Sequence, residues 1–165
     1  MSRLIAIALT AILAASTAAV STPTLAGDYK LGALTVRQPW SRPAQAGMNG
    51  VGFFTLVNAG KAPVTLKSAE SPAAGKVEIH QSSMAGGIMT MRRQDNGVTI
   101  PAGGQVAFAP GGYHLMLLSL KTAQAQGQKV PVTLLFGDGR KMQVDLAVQL
   151  VAPNGQAAPA GQHHH

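Results

Sequence analysis

The feature that most narrows what this chain can fold into is the regular alternation of short apolar runs with Gly, Pro and Asn turn signals. The runs are Leu34–Gln38, Gly52–Val57, Val64–Ser68, Lys76–His80, Ile88–Arg92, Gln105–Phe108, His114–Ser119, Val130–Phe136 and Lys141–Gln149. Between them stand Asn58-Ala59-Gly60, Ala85-Gly86-Gly87, Asp95-Asn96-Gly97, Pro101-Ala102-Gly103-Gly104, Pro110-Gly111-Gly112 and Gly137-Asp138-Gly139. Each run is too short for a stable helix and long enough for a strand, and each break carries the chemistry of a tight turn. The pattern predicts an all-β sandwich or barrel. In the last run Met142, Val144, Leu146 and Val148 alternate with Gln143, Asp145, Ala147 and Gln149, so the first set is expected in the core. Ala123–Gln128 is too short for a helix and is closed by Gly127.

The ends read differently. Arg3 precedes an uncharged apolar stretch from Leu4 to Val20, and Thr24-Leu25-Ala26 supplies small residues before Gly27. That is the layout of a cleavable signal peptide over residues 1–26. It predicts an exported, periplasmic protein whose folded domain spans residues 27–151. Residues 152–165 are rich in Pro, Ala, Gly and Gln and are expected to be a disordered tail. The tail ends in His163-His164-His165, either an affinity-tag remnant or a second, weaker site for copper(II).

Composition then excludes several chemistries. The 165 residues contain no cysteine. That removes thiol–disulfide exchange, a cysteine nucleophile, thiolate metal sites and the Cys-ligated blue-copper centre. An exported domain without disulfides must rely on its core alone. The net charge is +7, but the basic residues are scattered and aromatics are only 4% of the chain, so nucleic acid is a poor partner. The Gly-rich turns are not followed by helices and are not phosphate loops.

Histidine and methionine fall into register. In Val77-Glu78-Ile79-His80 the apolar pair faces the core, which leaves Glu78 and His80 on the opposite, outward face. In His114-Leu115-Met116-Leu117 the same logic puts His114 and Met116 together on the outward face. Side chains two residues apart on one strand face are about 7 Å apart, a gap a long thioether can close. Met89 and Met91 form a similar pair after the Gly86-Gly87 turn, with Met84 and Met48 in nearby turn and loop positions. Thioether sulfur is soft and neutral, and imidazole is a stronger σ-donor. A mixed set of the two suits copper(I) and does little for magnesium, calcium or manganese.

A longer pattern runs through these positions. It comprises Gln38-Pro39-Trp40-Ser41-Arg42-Pro43, Gly52-Phe53-Phe54-Thr55-Leu56-Val57-Asn58 and Ser71-Pro72-Ala73-Ala74-Gly75-Lys76-Val77-Glu78-Ile79-His80. It continues with Met89-Thr90-Met91-Arg92, Ile100-Pro101-Ala102-Gly103-Gly104 and Pro110-Gly111-Gly112-Tyr113-His114-Leu115-Met116. From Trp40 to Phe136 the sequence resembles the PCuAC family of periplasmic copper(I) chaperones. That family's ligand pattern is a His, ten residues, a Met, about twenty-one residues, then His-x-Met. Here ten residues separate His80 from Met91, and twenty-two separate Met91 from His114-Leu115-Met116.

The resemblance implies a cupredoxin-like Greek-key β-sandwich and a copper(I) site formed by His80, Met91, His114 and Met116, with Met89 or Met84 as competitors for Met91. It implies a monomeric, non-enzymatic metallochaperone. Its acceptors would be the copper subunit of cytochrome c oxidase and a Sco-type protein. A storage or resistance protein that holds copper without donating it is the alternative. Trp40 is expected to pack at the sandwich edge, and Tyr113 to face away from His114.

Overall fold

The computed structural model describes residues 27–153. The expected signal peptide and His163-His164-His165 lie outside these residues, as does most of the expected tail. The described residues form eleven strands and no helix: β1 (Tyr29–Leu31), β2 (Leu34–Ser41), β3 (Gly50–Asn58), β4 (Val64–Glu70), β5 (Ala74–Ala85), β6 (Ile88–Arg93), β7 (Val98–Ile100), β8 (Gln105–Phe108), β9 (Tyr113–Leu120), β10 (Lys129–Phe136) and β11 (Lys141–Val148). Every run expected to be a strand is one. Two three-residue strands, β1 and β7, were not expected, and β5 continues five residues past His80. β1 and β7 are too short to show a period, and β5 beyond His80 lacks apolar alternation of its own.

The strands follow the order β6-β5-β9-β8-β3-β2-β11-β10-β4-β7, with β1 beside β2 and a further pairing of β9 with β3. Most neighbours are antiparallel; β2 with β11 and β8 with β9 are parallel. The sheet curls on itself. Leu66, Val98 and Ile100, from one end of this order, share a core cluster with Val77, Ile79 and Leu115 from the other. β4 also touches β5 without a hydrogen-bonded ladder between them. Alternation drives this closure. Met142, Val144, Leu146 and Val148 are all buried, as expected, although Ala147 on the opposite face is buried too, paired with Trp40.

Two local departures matter for the site. In β2, Arg37 pairs with Thr55 and Trp40 with Phe53, so β2 carries one more residue than β3 across this step. Gln38 takes a positive φ of 48° at this bulge, immediately before Pro39. A bulge of this kind resets which side chains face inward, and Trp40 and Ser41 are consecutively buried beyond it. The second departure is the β5–β6 hairpin. Ala85 pairs with Ile88, leaving a two-residue loop of Gly86 and Gly87, both with positive φ. That turn needs φ > 0 at both central positions, which glycine adopts without steric cost. It carries β6 back along β5 as the outermost strand, and every β6 residue is exposed.

Candidate metal centre

The site grows from the β5–β9 ladder. Val77 and Ile79 in β5, and Leu115 and Leu117 in β9, are buried in the core. The residues between them therefore share the other face. In the antiparallel register His80 lies directly opposite His114, and Glu78 opposite Met116. The imidazole centroids are 5.8 Å apart. Two imidazoles binding one ion at about 2 Å from each nitrogen place their centroids roughly 5–6 Å apart, so the pair is spaced for a shared ion.

The two rings are held by different nitrogens. His80 Nε2 donates to Glu78 Oε2 at 2.9 Å. The Glu78 carboxyl is held down at about 2, first by Lys76 (2.6 Å), then by His80, with Arg93 (3.2 Å) adding to the effect. An ionised Glu78 fixes the proton of His80 on Nε2, which leaves the lone pair on Nδ1. Nδ1 of His80 is buried and has no hydrogen-bond partner among the described residues. His114 is the reverse case: its Nδ1 donates to the Gly112 carbonyl at 3.1 Å, so its lone pair is on Nε2. The His114 imidazole titrates below its ordinary range, first because burial penalises the cation; repulsion from His80 acts in the same direction, and the Gly112 carbonyl opposes both. The hydrogen bonds thus leave Nδ1 of His80 and Nε2 of His114 as the nitrogens not engaged by Glu78 or Gly112.

A cleft of about 230 Å³ opens beside His114. Met89, Met91, Met116 and His114 line it, with Arg42 and Phe53. His80 does not line the cleft; it reaches this region through its place opposite His114. The structure therefore brings His114, Met116 and Met91 to one cavity and sets His80 against its flank. Met91 pairs with Ser82 and Met89 with Met84 across the hairpin. Met91 and Met89 both line the cleft, 49% and 62% exposed respectively. Met84 and Met48 are exposed and do not line it.

Two expectations need correction. The face carrying His114 was expected to be outward, yet His114 is only 5% exposed. Phe53 of β3, the strand that pairs with β9, brings its ring to 6.5 Å from that of His114, and the Pro110-Gly111 turn lines the same cleft. Trp40 was expected at the sandwich edge. It is buried instead, its ring 4.8 Å from that of Phe53, in a small aromatic cluster apart from the main core. Tyr113 does face away from His114, packing against Phe108 and the core. Sequence reasoning missed the part played by Glu78, although its place two residues before His80 on the same strand face was a usable signal. Arg42 had only its proximity to Trp40 to mark it.

The donor set defines the chemistry. Among the described residues no cluster of three or more His, Cys, Asp or Glu side chains exists. What the cleft gathers is the His114 imidazole and the thioethers of Met89, Met91 and Met116, with His80 opposite His114 at its flank. Imidazole and thioether donors are matched to a soft monovalent ion and poorly matched to hard cations.

The profile of the family described as "Putative lipoprotein LpqE-like" matches residues 34–148. The Leifsonia xyli subsp. xyli protein named "Putative lipoprotein Lxx21020" is 36% identical over 114 residues, 69% of this chain and 68% of that protein. The uncharacterized protein RP573 of Rickettsia prowazekii is 31% identical over 115 residues, 67% of this chain and 64% of its own length. Among solved structures, the apo PCuAC domain from PmoF1 superposes with a TM-score of 0.62 at 26% identity, covering 76% of this chain and 99% of the domain. The solution structure of copper(I)-bound DR1885 from Deinococcus radiodurans gives a TM-score of 0.50 at 29% identity, covering 69% of this chain and 78% of that one. The fold is the cupredoxin-like all-β fold of PCuAC domains.

Proposed function

The chain belongs to the LpqE-like family, and on that premise we propose that it is an exported copper(I) chaperone. The ion would be held by His80, Met91, His114 and Met116. The observation that carries this reading is the opposition of His80 and His114 at 5.8 Å, each ring pinned by a hydrogen bond that leaves its other nitrogen open. Met116 and Met91, which line the cleft with His114, would supply the sulfur. Support comes from DR1885, a similar chain described with copper(I) bound. The lipoprotein name of the Leifsonia relative and the signal-like residues 1–26 support export.

The site suits transfer better than storage. His114 is buried and rigidly held, but Met91 lies half-exposed on an outermost strand. An incoming ligand would displace the half-exposed thioether first while the imidazoles keep the ion, so copper would pass by stepwise ligand exchange. Reading the role as binding and transfer, we propose an apo copper acceptor as partner, with the copper subunit of cytochrome c oxidase and a Sco-type protein as the specific expectation. We also propose that the chain acts as a monomer and not as an enzyme.

Competition titration with a copper(I) chelator tests the site. One tight equivalent is expected, and His114→Ala or Met116→Ala should weaken it by at least about a hundredfold. Unchanged affinity in both variants would refute the assignment. Incubating the copper(I)-loaded protein with an apo oxidase copper domain tests donation; tight binding without transfer would favour storage.

A further inference from the structure

Arg42 follows the β2 bulge and enters the same cleft as His114, Met116 and Met91. Its guanidinium carbon lies 5.9 Å from the Trp40 ring centre and 5.7 Å from that of Phe53. The Phe53 ring is in turn 6.5 Å from the His114 ring. Two aromatic faces attract a cation through their quadrupoles, but they leave its charge in place. Arg42 Nη2 is buried without a hydrogen-bond partner, and among the described residues no carboxylate pairs with the group. No Asp or Glu lines the cleft. Glu78, the acid beside His80, is already shared by Lys76, Arg93 and His80.

An unneutralised guanidinium at the wall of a cleft is costly to keep there, and burial makes its field stronger. We propose that Arg42 is a specificity-determining residue for oxidation state: its charge makes the cleft discriminate against copper(II) in favour of copper(I). The inference rests on the copper reading above. The ligand set is neutral, so nothing in it offsets the charge of the ion. Copper(I) brings one positive charge near the guanidinium and copper(II) brings two, so the repulsion doubles for the divalent ion. At a separation on the order of 8 Å and an effective dielectric of about 20, the difference is worth roughly tenfold in relative affinity once screening at the cleft mouth is allowed for. This selection is electrostatic and adds to the preference that soft sulfur already imposes.

The test measures copper(I) and copper(II) dissociation constants on the full chain with His163, His164 and His165 replaced by Ala, so that the tail does not compete for copper(II). Arg42→Gln should tighten copper(II) relative to copper(I) by about tenfold, lowering the reduction potential of the bound ion by about 59 mV. Arg42→Leu, which keeps an apolar stem against the rings and adds no donor atom to the cleft, should shift the ratio equally and carries the test if the Gln variant does not fold. Arg42→Lys keeps the charge and should hold the ratio within about threefold of the parent. An unchanged ratio in the Gln or Leu variant overturns the proposal. So does a Lys variant that shifts as far as Gln, since packing would then be the cause. If the parent chain shows no copper(I) site sensitive to His114→Ala, the copper reading itself fails and takes this inference with it.

Discussion

His80 and His114 stand opposite each other across one ladder, yet they offer different nitrogens: Nδ1 from His80, because Glu78 holds Nε2, and Nε2 from His114, because the Gly112 carbonyl holds Nδ1. Mirror-related strands would present two rings identically. Here one ring is oriented by a side chain and the other by backbone, so the two halves of the site respond differently to substitution.

Glu78→Gln should expose that difference. A neutral amide can meet either tautomer of His80, so the proton is no longer confined to Nε2. Copper(I) affinity should fall by about 10- to 100-fold, and nitrogen-15 shifts of the His80 ring should show a mixed tautomer population while those of His114 stay put. Unchanged His80 shifts would sink this account.

The two candidate thioethers can be separated. Met91 pairs with the buried Ser82 and is the less exposed, whereas Met89 sits nearer the turn. Met91→Ala should weaken copper(I) binding by about tenfold or more, and Met89→Ala by less than about threefold. X-ray absorption on the copper(I)-loaded Met91→Ala protein should count one sulfur fewer. A full sulfur count would mean that Met89 has replaced Met91.

Stability of the metal-free protein should fall as the solution is acidified through the imidazole range. Burial holds the folded-state His114 below its ordinary value of 6.5. The unfolded chain then binds the proton more readily, so the stability is fully present above about pH 6.5 and is lost as pH falls toward the folded-state value. Urea denaturation at pH 7.5 and pH 5.5 checks this. His114→Phe should flatten the slope, and a slope unaltered by that change would assign the effect to other groups.

The core can be tested away from the site. Leu134 in β10 is fully buried among the central residues. Leu134→Ala should cost about 2–5 kcal/mol of unfolding free energy, while copper(I) affinity of the folded protein stays within about twofold. A large loss of affinity would mean that the core and the site are mechanically coupled.

What could be read beforehand follows from range. The strands were legible because alternation is a local property, as in Met142, Val144, Leu146 and Val148. β1 and β7 were not, because three residues cannot show a period. β5 beyond His80 was missed because Gln81 to Ala85 owe their extended form to pairing with β6. The sharing of one face by His80, His114 and Met116 follows from the pleat. The burial of His114 does not: it involves Phe53, brought alongside by the pairing of β3 with β9 from far off in the chain. The placement of Met89 and Met91 on one strand face was legible for the same reason, and both line the cleft.

The single extra residue at Gln38-Pro39 reaches further than its size suggests. Side chains in a strand alternate by parity, so deleting one residue there would exchange the faces presented by everything that follows. Trp40 would leave its seat on Phe53, and the guanidinium of Arg42 would turn from the cleft. The electrical character of the site is therefore a matter of counting along the backbone. A relative with the same side chains but a one-residue-shorter β2 would be a different ion binder.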